Sequence, residues 1–102
     1  MTPKDFAESM VRAAYGHPGE TAVRIDVGTF APEQVQALFD AILAQLSIHK
    51  LRLRGVRTDT GSFAKLGIER DTANSGLYNK IPVVMTPTAD FDTMEFVFQP
   101  VR

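Results

Sequence analysis

The chain of 102 residues carries a net charge of −1, with 44% hydrophobic and 23% charged residues and no cysteine. This composition is typical of one folded globular domain and argues against the disordered and fibrous classes. The small net charge gives no global attraction for nucleic acid or anionic lipid, so any charge-based recognition requires a local patch. Disulfides and thiolate chemistry are excluded.

The sequence shows no feature of a membrane or exported protein. No apolar run approaches the roughly 20 residues that span a bilayer. The polar start MTPKDFAES lacks the basic and then apolar order of a signal peptide. A cysteine-free chain also suits a reducing compartment. We therefore expect a cytoplasmic protein with no membrane partner.

The first predicted element is a helix. Thr2 and Pro3 are favoured at a helix start and Gly16 just past a helix end, which predicts a helix from about Pro3 to Tyr15. Its apolar face repeats at intervals of four, at Phe6, Met10 and Ala14.

The segment from Thr21 to Arg57 predicts a strand, a helix and a second strand. Val23, Ile25 and Val27 alternate with polar residues, as in a strand with one buried face. The helix, about Pro32 to Ser47, has the clearest helical periodicity in the chain, at Val35, Leu38, Phe39, Ile42, Leu43 and Leu46. A helix that returns along its strand places the next strand, which contains Leu51 and Leu53, parallel to the first.

Residues 58–80 lose this periodicity and predict a long polar loop, in which Ser62 caps one short helical turn. Two further strands follow, with apolar faces at Ile81, Val83 and Met85 and at Met94, Phe96 and Phe98. Their alternation predicts an antiparallel hairpin.

Together these elements predict one α+β domain over residues 1–102. It is a two-layer sandwich in which two helices cover one face of a four-stranded mixed sheet, in the order α-β-α-β-(short helix/loop)-β-β. The other sheet face carries polar residues and is exposed.

The most concrete functional feature is a basic stripe on the exposed side of the second strand. Lys50, Arg52 and Arg54 alternate there, about 6.6 to 6.8 Å apart, and Arg57 extends the stripe. Arg24 lies on the exposed side of the first strand, and Tyr78 is the aromatic candidate from the long loop. The candidate binding residues are thus Arg24, Lys50, Arg52, Arg54, Arg57 and Tyr78.

Acidic residues on neighbouring strands bear on this stripe. Asp26 and Glu95 are placed to neutralise it through cross-strand pairs. No aromatic residue alternates with the basic ones, as a base-stacking platform requires. The stripe therefore fits a solvated or paired face, a protein-binding surface or a nucleic-acid-binding surface.

Enzymatic and metal-binding motifs are weak. Ser62 and Lys65 have the S-x-x-K spacing in which a lysine activates a serine, but the companion SDN and KTG motifs are missing. Asp71, Ser75 and Tyr78 complete the chemical groups of the long loop. Metal ligands would have to come from His17, His49, Asp26, Asp71, Asp90 and Asp92. No close ligand spacing involves either histidine, and the D-x-D of Asp90 and Asp92 is more typical of a turn. We predict no catalytic residue, no metal site and no cofactor.

Three hypotheses of function remain. The first is a small non-enzymatic binding or regulatory protein that contacts another protein, or a second copy of itself, through the exposed sheet face and the 58–80 loop. The second is a nucleic-acid-binding module that uses Lys50, Arg52 and Arg54. The third is a small enzyme with its site in the 58–80 loop.

Overall fold

A computed structural model describes residues 2–16, 18–68, 70–72, 74–86 and 92–101 of the chain. These residues form three helices, α1 (Pro3–Ala14), α2 (Pro32–Leu46) and α3 (Thr60–Leu66). They also form six strands, β1 (Thr21–Asp26), β2 (Leu51–Thr58), β3 (Arg70–Thr72), β4 (Ser75–Tyr78), β5 (Ile81–Met85) and β6 (Thr93–Pro100). Within these ranges, no helix is long and apolar enough to cross a membrane.

The starts of α1 and α2 agree with the sequence prediction. Thr2 caps α1: its Oγ1 accepts a hydrogen bond from Asp5 N at 3.2 Å, and Asp5 Oδ2 accepts one from Thr2 N at 3.1 Å. These two bonds hold the pKa of Asp5 below its usual value. In α2, Gln34 Oε1 accepts a hydrogen bond from Ala31 N at 2.7 Å and supplies the cap that the Ala31 side chain lacks.

The strands form one mixed sheet in the order β1-β6-β2-β5-β4-β3. The prediction of four strands is therefore corrected to six in the described part of the chain. The predicted hairpin is also wrong, because β6 pairs with β1 and β2 while β5 pairs with β2 and β4. The strands β1 and β2 do run parallel, but β6 lies between them and is antiparallel to both.

The position of β6 follows from its side chains. Met94, Phe96 and Phe98 are fully buried, so this strand has the most apolar material to place under the helices. A strand between two neighbours also leaves none of its backbone hydrogen-bonding groups at an edge. Burial and pairing both favour the interior of the sheet over a hairpin with β5.

The prediction of a long polar loop at residues 58–80 is also corrected, because this segment holds α3, β3 and β4. Asp59, and not Ser62, caps α3: its carboxylate accepts a hydrogen bond from Ser62 N at 3.3 Å. Asn79 and Lys80 both have positive φ angles of 48° and 69°, as in a two-residue type I′ turn, and join β4 to β5. Apolar residues are sparse here because only one side of α3 and β4 is buried.

The three helices cover one face of the sheet, in place of the two predicted. The buried residues of α1, α2 and α3 form a single core with the inward side chains of the strands. Phe39 of α2 packs on Phe96 with ring centroids 5.5 Å apart. Where a strand is regular, alternate residues therefore point to the helix side and the remaining residues to the opposite side.

Candidate binding surface on the open sheet face

The sheet face opposite the helices has no covering layer in the described part of the chain, and it is termed the open face. Directly paired residues point to the same side of a sheet, so they form rows across it. One row contains Arg24, Glu95, Arg57, Val84 and Ser75. Beside it lie Ala22, Val97, Gly55, Pro82 and Leu77. The open face thus combines arginines with an apolar strip.

Glu95 lies between two arginines of the first row. Its carboxylate is 3.7 Å from Arg24 Nη2 and forms an ion pair with Arg57 Nη2. The arginine side chains are 59% and 57% exposed, and ion pairs at such exposure contribute at most about 1 kcal/mol. The Glu95 carboxylate is therefore shared between Arg24 and Arg57.

Asp26 does not pair with the basic stripe in this way. Its Oδ1 accepts a hydrogen bond from Gly28 N at 2.8 Å and shapes the turn after β1. Of the two acidic residues that the sequence places near the stripe, Glu95 therefore forms the cross-strand pairs.

Arg52 and Arg54 have partners of different charge. Arg52 Nη2 donates a hydrogen bond to the neutral amide oxygen of Gln99 at 3.0 Å. Arg54 Nη1 pairs with Glu20 Oε2 at 2.8 Å. The amide of Gln99 therefore does not neutralise the positive charge of Arg52.

A β-bulge holds the arginines of β2 on one face. The register with β6 shifts between Leu53 and Gly55, so Arg54 is an extra residue in the strand. Arg52 and Arg57 are an odd number of positions apart, and a regular strand would point them to opposite faces. With the bulge, both side chains are exposed while Leu53 and Val56 remain buried.

Two shallow depressions lie on this face. One, of about 360 Å³, lies over Gly55 and is bordered by Arg54, Arg57, Val84 and Val97. The other, of about 470 Å³, is bordered by Arg52, Gln99 and Val101. Glu20 contributes to both, so its ion pair with Arg54 stands between them.

Four of the six predicted binding residues therefore share the open face: Arg24, Arg52, Arg54 and Arg57. Lys50 lies in the turn before β2, with a positive φ of 52°, and its carbonyl accepts a hydrogen bond from Val101 N at 2.9 Å. The prediction that Lys50 belongs to the second strand is therefore corrected, because β2 begins at Leu51.

Tyr78 lies on the helix side and is not part of the open face. Its ring packs on Phe39 with centroids 4.5 Å apart, and its hydroxyl donates a hydrogen bond to Asp40 Oδ1 at 3.0 Å. Burial, followed by this bond and the charge of Asp40, raises the pKa of Tyr78 to about 12. These contacts dock β4 onto α2.

The residues proposed for an enzyme do not converge in the described part of the chain. Ser62 is fully buried, and Lys65 Nζ donates a hydrogen bond to the carbonyl of Val27 at 3.1 Å. Ser75 belongs to the open face and Tyr78 to the helix side. The side chain of Asp71 lies outside the described residues. No serine–lysine pair is supported by this geometry.

The Asp59 carboxylate, just after the end of β2, accepts several hydrogen bonds. Burial raises its pKa, but hydrogen bonds from Ser62, Asp92 and Gly61 outweigh this effect and hold the pKa below its usual value. These bonds organise the loops. Among the described residues, no three histidine or acidic side chains are placed to hold a metal ion. His17 and Asp90 lie outside them.

Several residues of the open face were missed by sequence reasoning. Glu20 precedes β1 and is not part of the alternating pattern that predicts this strand. Nothing in the sequence around Gly55 indicates a bulge. Val84 and Pro82 were identifiable, since they alternate with the apolar residues assigned to the buried face of β5. Leu77 was not, because β4 itself was not predicted.

Comparisons with protein-family models, with curated proteins and with solved structures find no match to this chain.

Proposed function

We propose that this chain is a small, non-enzymatic binding or regulatory protein of the cytoplasm that engages another protein, or a second copy of itself, through the open face. β4 of the 58–80 segment takes part, because it adds Leu77 to that face. The observation that carries the proposal is the group of exposed apolar side chains beside the β2 arginines: Leu77, in the apolar strip, is 49% exposed, and Val84, in the arginine row, is 41% exposed.

The chemistry of this surface supports a protein partner. Clustered apolar side chains on a folded domain gain free energy when a partner removes them from water. Arginine is enriched at protein interfaces because its guanidinium group binds carboxylates in a defined geometry and also packs on apolar groups. The open face offers both components within the same rows.

The nucleic-acid hypothesis receives less support. Glu95 and Glu20 pair with Arg24, Arg57 and Arg54, and these carboxylates would repel phosphates. Among the described residues of the open face none is aromatic, so bases find no stacking platform.

The test compares two matched substitutions in affinity capture from the native cell. Val84→Glu places a charge on the open face next to the apolar strip, whereas Ile48→Glu places the same charge on the helix side, where Ile48 is 73% exposed. We expect Val84→Glu to reduce recovery of the captured protein at least tenfold and Ile48→Glu to leave it unchanged, with circular dichroism confirming both folds.

Two outcomes would contradict the proposal. One is equal recovery of the same protein by the wild-type chain and by Val84→Glu. The other is complete loss of the captured material after nuclease treatment, which would favour nucleic acid as the partner.

A further inference from the structure

We infer that the occupant of the open face is an acidic protein segment in an extended conformation, with carboxylates beside the β2 arginines and an apolar side chain over Gly55. This inference rests on the proposed function and specifies the chemistry of the partner. It follows from charge, shape and spacing on the same surface.

The positive charge of the open face is concentrated on β2. This strand contributes Arg52, Arg54 and Arg57 and has no acidic residue. Arg52 is bonded to a neutral amide, and Arg57 shares the carboxylate of Glu95 with Arg24. Carboxylates from a partner at β2 would give Arg52 a charged partner in place of the neutral Gln99 amide and would add to the Glu95 carboxylate at Arg57.

The Glu20–Arg54 pair is placed to exchange partners. The two side chains are 47% and 61% exposed, so the pair contributes little to folding and separates at small cost. It stands between the two depressions, and a carboxylate that replaces Glu20 at Arg54 joins them into one groove.

The depression over Gly55 is the reason why the proposed partner segment includes an apolar side chain. A side chain at position 55 would project into it and reduce its volume, and glycine leaves it open between Val84, Pro82 and Val97. In an extended chain, alternate side chains point to the same side about 6.6 to 6.8 Å apart. An acidic residue and an apolar residue two positions apart therefore reach Arg54 and the depression together.

The test selects random twelve-residue peptides, displayed on phage, against the full wild-type chain. The selected peptides are then measured on Gly55→Val, which places a side chain in the depression, and on Arg54→Gln, which removes one charge. A Cβ at Gly55 meets only the carbonyl oxygen of Pro82, at 3.4 Å, an ordinary contact, so the variant is expected to fold. Arg12→Gln, an exposed arginine on α1, is the matched control.

We expect peptides enriched in Asp and Glu around a large apolar residue, with binding at least tenfold weaker on Gly55→Val and Arg54→Gln and unchanged on Arg12→Gln. Selection of basic or neutral peptides that still require Gly55 would overturn this inference and leave the proposed function standing. Peptides indifferent to both open-face variants, or recovery of no binder, would count against both. Equal competition by a single-stranded oligonucleotide would overturn the acidic-protein assignment.

Discussion

Gly28 follows β1 where the chain passes close to two acidic residues. A Cβ at this position would lie 3.1 Å from Asp26 Oδ1 and 3.1 Å from the Cβ of Asp92. These distances are tighter than most contacts of a Cβ atom, so a side chain here requires its neighbours to shift by a few tenths of an ångström. The Asp26 oxygen is held by its bond to Gly28 N, which opposes such a shift and favours glycine in this turn.

The first prediction compares Gly28→Ala with Gly19→Ala. We expect Gly28→Ala to lower the free energy of unfolding by about 1–3 kcal/mol, since the neighbours must shift. A Cβ at Gly19 meets nothing within 4 Å, so Gly19→Ala is expected to be neutral or to stabilise by at most about 1 kcal/mol. Chemical denaturation measures both, and equal effects would contradict the steric account.

The second prediction concerns the pH dependence that Tyr78 gives to stability. Its pKa of about 12 lies above the ordinary value of 10.0, so the folded state binds the phenolic proton more tightly than the unfolded state. The contribution of Tyr78 is complete below the ordinary pKa and is lost as the pH rises through about 12.

Denaturation at several alkaline pH values tests this prediction against Tyr78→Phe. The substitution removes the bond to Asp40 and is expected to cost about 1 kcal/mol at neutral pH. It should also remove part of the alkaline decline, because Phe carries no titrating proton. The same decline in both proteins would show that Tyr78 is not its source.

At the scale of elements, β6 organises the fold. Phe96 lies between Phe39, at a centroid distance of 5.5 Å, and Phe98, at 6.5 Å, and is fully buried. Val97, its neighbour, points to the open face. Substitutions at Phe96 and Val97 can therefore distinguish the contribution of β6 to the core from its contribution to the open face.

The third prediction compares substitutions at Phe96 and Val97. We expect Phe96→Ala to reduce the free energy of unfolding by about 3–5 kcal/mol, which is a large part of the roughly 5–15 kcal/mol typical of a domain. Val97→Ala should cost about 1 kcal/mol or less, because its side chain is only half-buried. Urea titrations of the two variants measure the difference, and similar losses would refute the assignment of their faces.

Sequence reasoning identified the long elements and failed at their pairing. Periodicity in α2 and alternation in β1, β2, β5 and β6 are local signals, so both the elements and their buried faces were predictable. Strand order is set by contacts between distant residues, and nothing local in β5 and β6 shows that β6 inserts between β1 and β2.

The 58–80 segment was missed for a different reason. β4 is short and contains only two apolar or aromatic residues, Leu77 and Tyr78, which point to opposite faces. The turn at Asn79 and Lys80 lacks the glycine that usually marks a type I′ turn. Neither its strand nor its turn therefore gave a recognisable pattern.

For the whole molecule, the sequence predicted the α+β class, helices on one side of the sheet and a basic stripe on the other. It did not predict how that stripe is balanced. The Glu20–Arg54 pair joins residues 34 positions apart, and the depression over Gly55 depends on a bulge. Both are consequences of tertiary structure, and together they turn a charged strand into a surface with a defined shape.

The fourth prediction, site-specific photo-cross-linking in the native cell, tests the central claim most directly. A photoreactive benzophenone side chain is placed at Val84 on the open face or, in a matched chain, at Ile48 on the helix side. We predict a discrete protein adduct from position 84, resistant to nuclease, and none from position 48. The same adduct from both positions, or an adduct from position 48 alone, would contradict the claim that the open face binds the partner.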